Sequence, residues 1–99
     1  MSSTQSRIAL ITGASRGLGQ ALARQLALQG WTLIIDARGA DALELARSEL
    51  ARVTRVVAVP GDVTDAAHRR ALVEAAQAAG PLDALVNNAS FLGPSPQPL

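Results

Sequence analysis

The stretch Ile11–Gly19, ITGASRGLG, sets three glycines and two small hydroxyl residues directly behind an apolar run. Glycine gives up more backbone freedom on folding than any other residue. A cluster of this kind is kept where the backbone must turn tightly or let something approach closely. On its N-terminal side, Arg7–Thr12 (RIALIT) reads as a short buried strand. On its C-terminal side, Leu18–Gln29 places Leu18, Leu22 and Leu26 at i, i+4 and i+8 and stops at Gly30, as an amphipathic helix with a glycine stop does. A glycine loop between a strand and a helix constrains the fold strongly.

The rest of the chain repeats the alternation. Thr32–Asp36 (TLIID) reads as a second strand. Asp41–Arg52, with Leu43, Ala46 and Leu50 on one face and Asp41 near its positive end, reads as a second helix. Arg55–Pro60 (RVVAVP) is a third strand, ended by a proline that cannot donate to a central ladder. Thr64-Asp65 offers caps for a third helix running to about Ala79, stopped by Gly80-Pro81, and Leu82–Asn87 contains a fourth strand. Near-continuous apolar strands separated by helices imply a parallel sheet covered on both faces. The expected class is α/β, a doubly wound sheet in β-α-β-α-β-α-β order. From Phe91 onward, Pro94, Pro96 and Pro98 imply a loop, so residues 1–99 are expected to be one partial domain whose loop 90–99 is cut short.

Composition closes several other routes. The net charge is +1, with all nine basic residues arginine and only Trp31 and Phe91 aromatic. A nucleic-acid surface needs a basic stripe with interleaved aromatics, and the sequence has neither. The absence of cysteine removes disulfides and thiolate metal sites. The apolar run Ile8–Ile11 is too short for a signal peptide or a membrane span. A soluble cytoplasmic protein, with no nucleic-acid or membrane partner, is the expectation.

In a doubly wound sheet, ligands bind outside the carboxyl ends of the strands, and the loop at Gly13–Gly19 lies on that rim. Free N–H groups and the positive end of a helix dipole make it an anion site. Gly13 permits the turn, Gly17 lets a pyrophosphate approach, and Gly19 lets the helix pack against the sheet. The spacing is neither G-x-G-x-x-G nor the lysine-bearing phosphate loop.

Thr12–Gly19, T-G-x-x-x-G-x-G, resembles instead the short-chain dehydrogenase/reductase superfamily. Asp62-Val63 behind the third strand and Asn87-Asn88-Ala89 behind the fourth resemble that family's next two motifs. Ser90 departs from it, since glycine is usual there. The resemblance implies a Rossmann-type fold and contacts to a nicotinamide dinucleotide from Gly13, Ser15, Arg16, Gly17, Leu18, Gly19, Arg38, Asp62, Val63, Asn88 and Ala89. Asp62 would accept from the adenine amino group, and the Val63 N–H would donate to a ring nitrogen. Asp62 also suits a turn beside Gly61, and the two asparagines also suit stitching of the loop.

At the end of the second strand an acid selects NAD and a guanidinium selects NADP. The family's NAD-selecting position falls on Ala37 and the next is Arg38, with Arg16 as a second arm. Asp36 sits one residue early, and alternation turns it to the other face of the sheet. NADP is therefore expected, with NAD the alternative if Asp36 meets the ribose. His68 is expected to be solvated, Trp31 to cover the edge of the apolar layer, and Asp83 to be a turn residue.

The family's tyrosine, its lysine four residues on, a serine and a further asparagine all lie beyond the fourth strand. This sequence has no tyrosine and no lysine. No catalytic residue is assigned. The resemblance covers the cofactor-binding half of a longer, homo-oligomeric oxidoreductase acting on a carbonyl or alcohol. The alternative is a free-standing nucleotide-binding or interaction module. A metal site or a nucleophilic triad is not expected.

Overall fold

A computed structural model describes residues 7–88. The loop expected from Phe91 onward, together with Ala89 and Ser90, lies outside the described residues. Seven elements alternate along the chain: β1 (Ile8–Thr12), α1 (Gly17–Leu28), β2 (Thr32–Ala37), α2 (Ala40–Leu50), β3 (Val56–Pro60), α3 (Ala66–Ala79) and β4 (Ala84–Asn87). All pairings are parallel, and the sheet runs β3-β2-β1-β4. The doubly wound architecture expected from the alternation is the one found. Its register sets Ile11 beside Ile35 and Thr12 beside Asn87.

Strand alternation sorts the core into two layers. Ala9, Ile11, Leu33 and Ile35 face α1 and α2, burying Ala23, Ala27, Leu43, Ala46 and Leu50. Ile8, Leu10 and Ile34 face α3 and bury Leu72. Trp31 packs half-buried against the first layer, with the Arg7 guanidinium 5.7 Å from its ring centre. Helix ends obey local chemistry. Asp65 accepts from the Ala67 N–H as the cap of α3, and Asp41 sits in the first turn of α2.

The face of α1 differs from the expected leucine stripe. Its buried residues are Gly19, Ala23 and Ala27, one position on from Leu18, Leu22 and Leu26, and Leu18 is 76% exposed. Small residues let the helix axis come close to β1, and the leucines are displaced to its flanks. Asp83 also does more than turn the chain. Its carboxylate accepts from the Ile8 N–H at 2.8 Å and its own N–H donates to the Ile8 carbonyl at 2.8 Å, which locks the starts of β1 and β4 together.

Candidate functional site

Because the four strands are parallel, Thr12, Ala37, Pro60 and Asn87 all end on one rim. The β1–α1 loop there is built by close approach. A Cβ on Gly19 would lie 2.3 Å from the Gly13 carbonyl oxygen and 2.5 Å from Asn88 Nδ2. Asn88 Nδ2 donates to that same carbonyl at 3.0 Å, and the Thr12 hydroxyl donates to Asn87 Oδ1 at 3.2 Å. Asn88 therefore stitches the end of β4 to the loop, and Asn87 ties it to the end of β1.

Gly17 is the opposite case. Its φ of +63° is one that L side chains rarely adopt, and a Cβ there would meet nothing within 4 Å. The loop leaves an open cradle over the start of α1. Arg16 is the N-cap of α1 and makes no side-chain capping bond, and the first turn holds no acid. The first N–H groups of a helix have no intrahelical partner, and here neither a cap side chain nor a carboxylate offsets their positive end. In α3 a cap fills that role and in α2 an acid sits nearby. The chemistry of this donor set fits a phosphate.

Asp36 is 1% exposed and both of its oxygens are engaged. Oδ1 accepts from the Gly13 N–H at 2.8 Å, and Oδ2 lies 2.7 Å from His68 Nε2. His68 is not the solvated residue expected from its arginine neighbours, being only 6% exposed. It sits four residues before Leu72, on the buried face of α3. That spacing was the signal in the sequence that pointed inward.

Arg38 is exposed, with its guanidinium 3.9 Å from Asp62 Oδ2. Asp62 Oδ1 accepts from both the N–H and the hydroxyl of Thr64, each at 2.9 Å, so the turn role of this aspartate is realised. The Thr64 N–H above all, then the Thr64 hydroxyl, hold the Asp62 carboxyl below its ordinary range, and Arg38 and His68 act in the same direction. A depressed folded-state value contributes stability above the unfolded value, lost as pH falls through the folded one. Thr64→Val should move the Asp62 titration midpoint part of the way back up, as followed by NMR of its carboxyl carbon. An unmoved midpoint would remove the hydroxyl from this account.

Of the other expected positions, Ser15 is half-buried and Arg16 and Leu18 are exposed on the rim. The Val63 carbonyl accepts from Arg69 at 2.8 Å. Ala89 lies outside the described residues. Among the described residues, no group of three or more His, Cys, Asp or Glu side chains is placed to hold a metal ion. No helix there is long and apolar enough to cross a membrane.

A parallel doubly wound sheet with a glycine loop feeding an uncapped helix defines a Rossmann-type unit. The sequence pattern of the short chain dehydrogenase family matches residues 7–98, and the chain belongs to that family. It is 39% identical over 97 residues to 1-deoxy-11-beta-hydroxypentalenate dehydrogenase of Streptomyces exfoliatus, covering 96% of this chain and 35% of that protein. It is 41% identical over 91 residues to serine 3-dehydrogenase of Agrobacterium fabrum, covering 90% and 36%. Among solved structures it is similar to L-sorbose reductase of Gluconobacter frateurii, complexed with NADPH and L-sorbose. The TM-score is 0.81 at 36% identity, over 87% of this chain and 34% of that one. The chain spans about a third of the length of these relatives.

Proposed function

We propose that this chain forms the dinucleotide-binding part of an NADP-dependent short-chain oxidoreductase. The observation that carries the NADP reading is the engagement of both Asp36 oxygens inside the fold, by Gly13 and His68. The carboxylate that would select NAD is thereby withdrawn from the rim, and the exposed charge left at the end of β2 is Arg38. The NADPH bound by L-sorbose reductase supports the same reading.

Within it, Gly13 and Ala14 make the turn with their N–H groups already bonded to Asp36, and the N–H groups at the start of α1, from Gly17 to Gly19, with Ser15 and Leu18 beside them, hold the pyrophosphate. Arg38, with Arg16, holds the 2′-phosphate. Asp62 and Val63 meet the adenine, and Asn88 and Ala89 border the nicotinamide side. The bound cofactor supplies hydride exchange with a small carbonyl or alcohol substrate. A homo-oligomeric, cytoplasmic enzyme, as the family resemblance implies, completes the proposal.

Arg38→Ala tests it. Loss of a charge-assisted bond of about 1.5–3 kcal/mol should weaken NADPH roughly ten- to a hundredfold and leave NADH nearly unchanged in calorimetric titrations. Equal losses for both cofactors would return the assignment to NAD.

A further inference from the structure

The Asp36–His68 pair has no part in the cofactor contacts just proposed, yet among the described residues it is the most deeply buried polar cluster on the rim. Asp36 and His68 are 1% and 6% exposed, and their side chains meet at 2.7 Å. Three rim segments converge on them. The Asp36 carboxylate takes the Gly13 N–H at 2.8 Å, while its main-chain carbonyl takes the Ala14 N–H at 2.9 Å. On the other side the His68 ring lies against Gly61, where a Cβ would stand 2.3 Å from Nδ1. Gly61 in turn donates its N–H to the Ala37 carbonyl at 3.0 Å. One carboxylate and one imidazole thus fix the turn that opens the glycine loop and the residue that precedes Asp62.

Burying such a pair is expensive, and apolar side chains of similar volume often serve stability as well or better. Satisfied polar networks instead impose one geometry, because each donor and acceptor has a fixed direction. A phosphate cradle made of backbone N–H groups gains most from that, since loop ordering otherwise counts against binding.

We propose that the buried Asp36–His68 pair is a positioning unit that sets the glycine loop and the end of β3 in their binding geometry before the dinucleotide arrives. The proposal rests on the dinucleotide-binding reading, and its test separates the two. In the full chain, the double variant Asp36→Val/His68→Leu removes the network without leaving a buried charge unpaired. It should fold and melt cooperatively, its melting temperature lowered by no more than the loss of the Gly13 hydrogen bond accounts for. Its Ala14 amide, whose acceptor is the main-chain carbonyl of residue 36 and survives the substitution, should exchange with solvent at least about tenfold faster, and its NADPH affinity should fall by roughly tenfold or more. His68→Gln keeps an N–H donor toward Asp36 and should retain both the slow amide and the affinity. A purely structural role predicts that binding tracks the melting temperature.

Wild-type NADPH affinity in a well-folded double variant would overturn the proposal, as would an unchanged Ala14 amide. A double variant that does not fold would make the pair a requirement of the fold and overturn a positioning role. If the wild-type chain itself takes up no NADPH, the dinucleotide reading falls, while the amide measurement still decides whether the pair sets the loop.

Discussion

Gly17→Val is expected to abolish NADPH binding while leaving the fold in place. The two effects separate because of what surrounds this residue. A Cβ at Gly17 meets no protein atom within 4 Å, so the valine clashes with nothing in the chain itself. It must adopt a φ of +63°, a strain of about 1–3 kcal/mol set against a typical folding free energy of about 5–15 kcal/mol. The added side chain fills the cradle that the uncapped start of α1 leaves open, where a pyrophosphate would lie against the backbone. Affinity should fall at least roughly a hundredfold, the equivalent of about 3 kcal/mol. Gly19→Ala makes the contrast. Its Cβ would lie 2.3 Å from a backbone oxygen, so the loop or the helix must move, and the melting temperature should drop along with binding. Calorimetry showing undiminished NADPH affinity in Gly17→Val would remove the phosphate reading of the loop.

Those two glycines also mark how far the sequence could be read. Their spacing, and their place between a strand and a helix, are local features, as are the Asp65 cap and the proline that ends β3. Each element falls within about two residues of its expected place because its signals lie inside it. The face of α1 was not legible in this way. A leucine repeat competes with a Gly19–Ala23–Ala27 repeat one position along, and the choice is made by how closely β1 admits the helix. His68 and Asp83 were missed for a related reason. Their partners are 32 and 75 residues away, and only the assembled sheet brings them together. Alternation along β2 did turn Asp36 to the α3 face of the sheet, but nothing local to β2 identifies an imidazole on α3 as its partner.

A polypeptide of these 99 residues should transfer no hydride and should associate as its concentration rises. The first half of that expectation is chemical. Carbonyl reduction needs a proton donor beside the reacting oxygen. The tyrosine and lysine that the family resemblance assigns to that task are absent from the sequence altogether. The Asp36–His68 pair does not substitute, because both groups are buried and engaged with each other and with Gly13. The second half comes from topology. Among the described residues, in the order β3-β2-β1-β4, strand β4 pairs on one side only, with β1. Its Leu85 is 62% exposed, and Leu18 and Leu28 on α1 are 76% and 70% exposed. An open strand edge carrying an exposed leucine, in a chain with further exposed leucines on α1, is a template for pairing with another chain. Light scattering should therefore show mass rising with concentration, and the melt should be broad. Leu85→Lys or Leu85→Glu should suppress the association without altering the sheet, since that side chain already faces solvent. A monodisperse monomer with a sharp melt would show that the four strands suffice by themselves. Sustained NADPH oxidation that co-purifies with the 99-residue polypeptide, and disappears in Gly17→Val, would overturn the expectation of inactivity and place a proton donor where no tyrosine stands.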